Sequence, residues 1–458
     1  MIADHQNLVK LLQNFAPLNL GEQIYASPPC KFKPFYQKKN RFTMLSISKT
    51  EGRYLMADYL NITMRSLRMY FEFTKKIKHI ALMSTFAVST FYGVANASEV
   101  IKIGVPTGLS GANSVVAPAV VQSSELAIEE INAAGGILGH TVELVVADDG
   151  SGAAGAQKAF DFLIFQEEVD VLISMETSAA RNGGLPIVTR GQTPYIYTSL
   201  YEGRSCNQFL YANGAVPEQM VAPIVDYFMG DKASKTFFLV GSDYAFGRGM
   251  LEFTRAYIEA AGGVVVAEEY QPMDATDWTS IISKMRSTSP DAIIMSTAGG
   301  APNVTLQKQF KASGIDAAVG NLSVDEATAK SMGSDAEGIH ISASYLSRID
   351  SAENKRFLEA MNAKFGSDLL TPNDLSVPQY DAIYLYKAAV EKAGTTDVMP
   401  VIEALAEVSY SGPRGTISMN DQRHAPLTMH LGQVQADGTV DIMNIFEDVD
   451  PGNQCPNL

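Results

Sequence analysis

From Val100 to about Phe446 the chain alternates short apolar runs with amphipathic ones, and this alternation restricts the fold more than any other feature. "VIKIGVP" (100–106) has strand length and is apolar almost throughout. "VVQSSELAIEEINAAGG" (120–136) follows; Val121, Ile128 and Ile131 fall near one helical face, and Gly135–Gly136 supply the stop. "HTVELVVADD", "AGAQKAFDFLIFQ", "VDVLIS" and "TPYIYT" continue the series, with a helix between the last two. Strands that are apolar throughout, rather than at every second residue, suit a parallel sheet buried on both faces. The β-α-β order then predicts a doubly wound α/β sheet. A second series opens near Pro217, with strands "KTFFLVGS", "GVVVAEEY", "DAIIMST" and "GIHISASY". Two long helices (351–365 and about 378–393) and three strands ("RGTISM", "TMHLGQVQ", "TVDIMNIF") complete the chain. No Pro/Gly-rich linker divides the two series, so two lobes sharing several crossing strands are expected.

Charge is unevenly spread. Residues 1–97 carry 13 Lys and Arg against 5 Asp and Glu; residues 98–458 carry 22 against 45. The acidic body argues against nucleic acid and anionic membrane surfaces as partners. The basic part contains "KKIKH" (75–79), then "IALMSTFAVSTFYGVA", then "ANA" ending at Ala97. A positive segment, an apolar segment and an A-x-A site make an export signal, predicted to span 69–97 and to be cleaved after Ala97. The apolar run is short of the ~20 residues of a membrane span. Translation is expected to start at Met64 or Met69, leaving 1–68 outside the functional protein. Cys206 and Cys455 then remain; in an oxidising compartment they most simply form one disulfide, the other arrangement being two separate buried thiols.

Enzyme signatures are missing. "GSGAAG" (Gly150 to Gly155) matches G-x-G-x-x-G, but it follows the second strand of the series and Asp148–Asp149 precede it, so it reads as a strand-to-helix turn. His140, His340, His424 and His430 have no metal-ligand spacing, and no nucleophile elbow or Walker loop is present. Neither cofactor nor metal is expected. What stands out is a set of neutral polar and aromatic residues at the strand ends: "GLSGAN" with Ser110, "SMETSAA" with Glu176, Thr177 and Ser178, "YTSLYEG" with Tyr197, Thr198 and Ser199, "GSDYAFG" with Tyr244 and Phe246, "STAGGAPN", and "NLSVDEA" with Ser323 and Asp325. Ligands of open α/β sheets bind at the carboxyl ends of strands. Helix capping explains some of the hydroxyls and Asp, but not the tyrosines. Tyrosine walls with hydroxyls suit a small polar solute.

These stretches, with "YEG…C", "FFLVGSDYAFGR" and "AEGIHI", make the chain similar to type I periplasmic solute-binding proteins of ABC importers, the branched-chain amino acid, amide and urea group. "YEG", "VGSDY" and "VDEA" resemble the amide/urea branch. The resemblance implies two Rossmann-like lobes joined by a three-crossover hinge, with crossings near Ala215, Ser344 and Asn420. Lobe one would comprise 98–215 and 344–420, and lobe two 216–343 and 421–458 with the C-terminal tail. It implies a small-molecule solute and an inner-membrane ABC permease as partners, and a periplasmic location. By position, Tyr197, Ser199 and Tyr244 correspond to ligand-holding rings and hydroxyl. Glu176, Thr177 and Ser178 occupy the loop that usually bonds a ligand's carbonyl or carboxylate, and Ser323 and Asp325 lie where amino-acid binders hold the α-ammonium. Glu202 is expected to turn outward or to cap the following segment. Glu176 departs from the pattern, since a small hydroxyl residue is usual there. A short amide or urea is the expected solute, with a neutral or branched-chain amino acid as the alternative. A ligand-sensing regulator on the same fold and a hydrolase are rival classes, disfavoured by the export signal and by the missing nucleophile–base set.

Overall fold

The computed structural model describes residues 100–457, which fall in a single compact unit. The segment expected to direct export lies outside the described residues. Among the described residues, no helix is long and apolar enough to cross a membrane.

The first series gives β1 (Ile101–Thr107), α1 (Ala117–Ala133), β2 (Val142–Asp148), α2 (Ala153–Phe165), β3 (Val171–Ser174), α3 (Ser178–Gly191), β4 (Tyr195–Tyr197) and β5 (Leu210–Ala212). The strands form a parallel sheet in the order β2-β1-β3-β4-β5. Ile103, Val171, Ile173 and Ile196 pack to one side, in a cluster with Leu126 and Ile131 of α1. Leu172, Tyr195 and Tyr197 pack to the other, with Phe160, Leu163 and Val188 of α2 and α3. Burial on both faces is why these strands read as unbroken apolar runs. In α1 the buried residues include Val120, Leu126, Ile128 and Ile131; Val121, expected on that face, is only half-buried.

The second series gives α4 (Pro217–Gly230), β6 (Thr236–Ser242), α5 (Ala245–Ala260), β7 (Val264–Gln271), α6 (Thr279–Thr288), β8 (Ala292–Ser296), α7 (Ala301–Ser313), β9 (Ala318–Asn321), α8 (Glu326–Met332) and β10 (Ile339–Ala343). After α9 (Ala352–Phe365), α10 (Val377–Ala393), α11 (Val398–Leu405) and the hairpin β11 (Ser409–Gly412) and β12 (Gly415–Ser418), the chain adds β13 (Leu427–Val434) and β14 (Val440–Val449). The second sheet runs β14-β13-β10-β9-β8-β6-β7, with β13 and β14 antiparallel at one edge. Each sheet has its first strand between its second and third, so each changes winding direction there. That point is where open α/β sheets take ligands.

Three segments pass between the sheets, and one arginine of the hairpin turn braces two of them. Arg414, fully buried, donates from Nε to Asp381 Oδ2 (2.6 Å) and from Nη1 to Asn213 O and Ser344 Oγ (both 3.0 Å). Ser344 Oγ donates on to Asp374 Oδ1 (2.5 Å). The third segment is tied to the first: Ala212 N donates to Arg423 O (2.9 Å) and Ala425 N to Ala212 O (3.2 Å). Cys206, in the loop after β4, is disulfide-bonded to Cys455 in the tail after β14, with Cα atoms 5.6 Å apart.

Candidate functional site

A cavity of about 40 Å³ lies where the carboxyl ends of the two sheets face each other. From the first lobe it is lined by Asn113 after β1, Met175 to Ser178 after β3, and Ser199 and Leu200 after β4. From the second come Tyr244 and Phe246 after β6, Thr297 and Gly299 after β8, and Ser323 after β9. Leu375, between α9 and α10, completes the lining. These are neutral polar, aromatic and aliphatic groups, with Glu176 the one carboxyl among them. Among the described residues, no group of three or more His, Cys, Asp or Glu is placed to hold a metal.

The structure thus brings Glu176, Thr177, Ser178, Ser199, Tyr244, Phe246 and Ser323 to one cavity, and keeps four expected residues out of it. Tyr197 is fully buried beneath the first lobe's sheet ends. Its hydroxyl donates to Glu176 O (2.8 Å), and its ring meets Tyr195 and Tyr201 edge-on. It props the β3–α3 loop from behind rather than walling the cleft. Thr198 turns to Gln379 of α10, its Oγ1 3.1 Å from Oε1. Asp325 is consumed at the start of α8: Oδ1 accepts from Ala327 N (2.7 Å) and Thr328 N (3.1 Å), and Oδ2 from Thr328 Oγ1 (2.8 Å). These bonds take three of its acceptor positions, and Asp325 is not among the residues that line the cavity. Ser110 is exposed, its backbone held by Asp148 Oδ1 and Ser151 Oγ.

Glu202 also departs from expectation. It turns inward and accepts from Arg181 Nη2 (2.6 Å) and Ser178 Oγ (2.5 Å). The buried Arg181 guanidinium lies over the rings of Tyr197 and Tyr201, 4.9 and 4.6 Å from their centroids. A cation held by a carboxylate and two ring faces is well compensated in the interior. Sequence reasoning missed Arg181 because nothing near it in the chain marks it as paired, and only the tertiary fold brings Glu202 to it. Asn113, Met175, Leu200, Thr297 and Gly299 belong to loops the sequence singles out. Leu375 follows no strand and carries no such signal.

Two buried acids give the first lobe its electrostatic character. Glu176 Oε1 meets the Tyr195 hydroxyl, and Oε2 makes no hydrogen bond within geometric range. Burial first, then the nearby charge of Asp149, push its carboxyl well above the usual range, against the pull of Arg181 and the Ser174 hydroxyl. Asp149 itself is raised to about 6, chiefly by burial; its Oδ1 accepts from Ser151 N (2.6 Å) in the glycine-rich turn, while Oδ2 has no partner. Burial thus favours the protonated form of Glu176, a residue that also lines the cavity.

The lobes also touch at two glycines. A Cβ at Gly249 of α5 would lie 2.6 Å from Glu202 Cβ, and one at Gly300, before α7, 2.3 Å from Ala112 O. Side-chain-free positions let the second lobe rest directly on the first.

The model of a family described as periplasmic binding protein matches residues 100–439. Leu/Ile/Val-binding protein homolog 6 of Brucella melitensis is 26% identical over 399 residues, 82% of this chain and 99% of its own. Among solved structures, the branched-chain amino acid transporter substrate-binding protein LivJ of Streptococcus pneumoniae, in complex with isoleucine, superposes with a TM-score of 0.68 at 24% identity, covering 76% of this chain and 99% of its own. A solute-binding protein of an ABC transporter from Rhodopseudomonas palustris, in complex with 3,4-dihydroxybenzoic acid, gives a TM-score of 0.70 at 23% identity, covering 77% and 99%. These structures share the two-lobed fold. None of the three is named for an amide or urea, so the expected amide/urea branch finds no support in them.

Proposed function

The chain belongs to the periplasmic binding protein family, a family of transport receptors rather than enzymes, and from that premise we propose that it is an extracytoplasmic receptor for a small neutral amino acid, which it delivers to an ABC permease of the inner membrane. The observation that carries the reading is the cavity itself. It takes residues from both lobes at the switch points of both sheets, and its lining combines neutral hydroxyls, aliphatic and aromatic side chains and one carboxyl. An amino acid needs partners for an ammonium and a carboxylate and an apolar wall for its side chain; Leu200, Phe246 and Leu375 supply the wall. The relative from Brucella supports an amino acid over an amide or urea. The basic–apolar segment ending at Ala97 supports export, with the disulfide suited to an oxidising compartment.

The test is a thermal-shift panel of neutral amino acids, short amides, urea and hydroxybenzoates. A ligand at 100 times its Kd adds about 2.7 kcal/mol. A shift with alanine or valine supports the reading. A shift with amides, urea or hydroxybenzoates alone overturns it.

A further inference from the structure

The loop between β4 and β5 (residues 198–209) serves the cavity in two ways, yet it contains no helix or strand. Ser199 and Leu200 line the cavity directly. Glu202 holds a third lining residue, accepting from Ser178 Oγ (2.5 Å) as well as from the buried Arg181 Nη2 (2.6 Å). The first part of the loop is tied to its own lobe: Thr198 N donates to Ser174 O and Tyr201 N to Ala215 O (both 2.9 Å). Past Glu202 the backbone instead meets the C-terminal tail. A Cβ at Gly203 would lie 2.6 Å from Gln454 Oε1, so the two segments are in direct contact. Gln454 is buried; its Oε1 accepts from Arg204 N (2.8 Å), and its Nε2 donates to Pro451 O (2.5 Å). Two residues further along the loop, Cys206 is bonded to Cys455. The tail is itself anchored. Cys455 N donates to Gln422 Oε1 (2.8 Å) in the third crossing segment, and Val449 O, at the end of β14, accepts from Gln219 Nε2 of α4 (2.8 Å). A chain end stays ordered only where it is tied down, and here the ties converge on the loop that carries Glu202.

We propose that Cys206, Gln454 and Cys455 are positioning residues of the solute site, and that solute binding is therefore sensitive to thiol reductants. This deepens the receptor reading and rests on the cavity being the solute site. The tail holds Gly203 to Cys206, that stretch holds Glu202, and Glu202 holds Ser178 in the lining. Cys206 is exposed and Cys455 buried, so a thiolate meets the bond at Cys206. A dithiol supplies two electrons and two protons: the Sγ–Sγ bond breaks, both cysteines become thiols, and the dithiol closes to its own disulfide. The tail then keeps only hydrogen bonds to the loop, and the grip on Ser178 loosens. The same chain before export, in a reducing compartment, has this incomplete site and binds its solute more weakly than after it.

Hydrogen–deuterium exchange of the wild-type protein, oxidised and after dithiothreitol, tests the relay without a solute. Segment 177–183 is bonded to Glu202 and, among the described residues, not to the tail. It and segment 199–206 should exchange at least fivefold faster after reduction, while β8 and α7 (292–313) stay within twofold. Cys206→Ser with Cys455→Ser should reproduce the change without reductant. In Glu202→Ala, segment 177–183 should already exchange fast, and reduction should add less than twofold. A change confined to 204–209 and 450–457, or one spread evenly over every segment, overturns the positioning role. Calorimetry with L-valine gives the second readout: reduction should weaken binding at least fivefold. Valine bound equally by oxidised and reduced protein overturns the proposal. Oxidised protein that binds no valine overturns the amino-acid reading instead, and the exchange pattern still decides the relay.

Discussion

Tyr197 shows how much depends on which way one side chain points. In β4 the side chains of Tyr195 and Tyr197 leave the sheet on the same face, toward α2 and α3, and Ile196 leaves on the other. A tyrosine ending a strand looks like a cleft wall in sequence; in the structure it is a strut under Glu176. Tyr197→Phe should therefore lower stability by about 1–2 kcal/mol, because Glu176 O loses its buried donor. Ligand affinity should change little. Chemical denaturation and calorimetry on the same variant separate the two effects. A loss of affinity without a loss of stability would return Tyr197 to the cleft.

At the scale of elements, capping and recognition compete for the same residues. Ser, Thr and Asp at a strand's carboxyl end can serve a ligand or the following helix, and their spacing in sequence does not tell which. Thr177 and Asp325 serve their helices; Thr297 does not. Asp325→Ala should cost about 1 kcal/mol through α8 and weaken valine no more than threefold, as read by thermal melting and calorimetry. A loss of binding beyond tenfold in a folded variant would restore the ammonium role to Asp325. The same contrast marks what the sequence could reveal. Unbroken apolar runs located β1, β3, β6 and β8, because burial on both sheet faces leaves a local trace. Loops such as "SMETSAA" and "STAGGAPN" were visible as cavity-bearing, since a doubly wound sheet fixes where its loops gather. Which atom within each loop stays free was not visible. That depends on partners distant in the chain, such as Glu202 for Ser178, or Ser151 for Thr177.

For the whole molecule, the hinge is as decisive as the cavity. Arg414 and Asp381 form a buried pair with other bonds to Asn213 and Ser344. Burial raises Asp381 to about 6, with Arg414 opposing it. Because the folded value lies above that of the free side chain, burying this carboxyl is easiest at low pH and becomes harder as pH rises through 6. Arg414→Met leaves the carboxyl without its cation and should cost about 3–5 kcal/mol near pH 8, with the deficit shrinking toward pH 5, where Asp381 can take a proton. Denaturation of both proteins across that range checks the sign. A deficit independent of pH would mean that Arg414 matters through packing alone. The glycine contacts set the other limit of the hinge. Gly249 against the Glu202 side chain and Gly300 against the Ala112 carbonyl act as two stops, where the lobes rest on each other. Such a pair works as a calliper: a solute that fits lets both stops seat, and a larger one holds them apart and forgoes the contacts made only when they meet. Gly249→Leu thickens one stop without touching the solute, and should loosen valine binding at least tenfold while leaving the melting temperature of the ligand-free protein nearly unchanged. Size would then be read by the frame of the molecule.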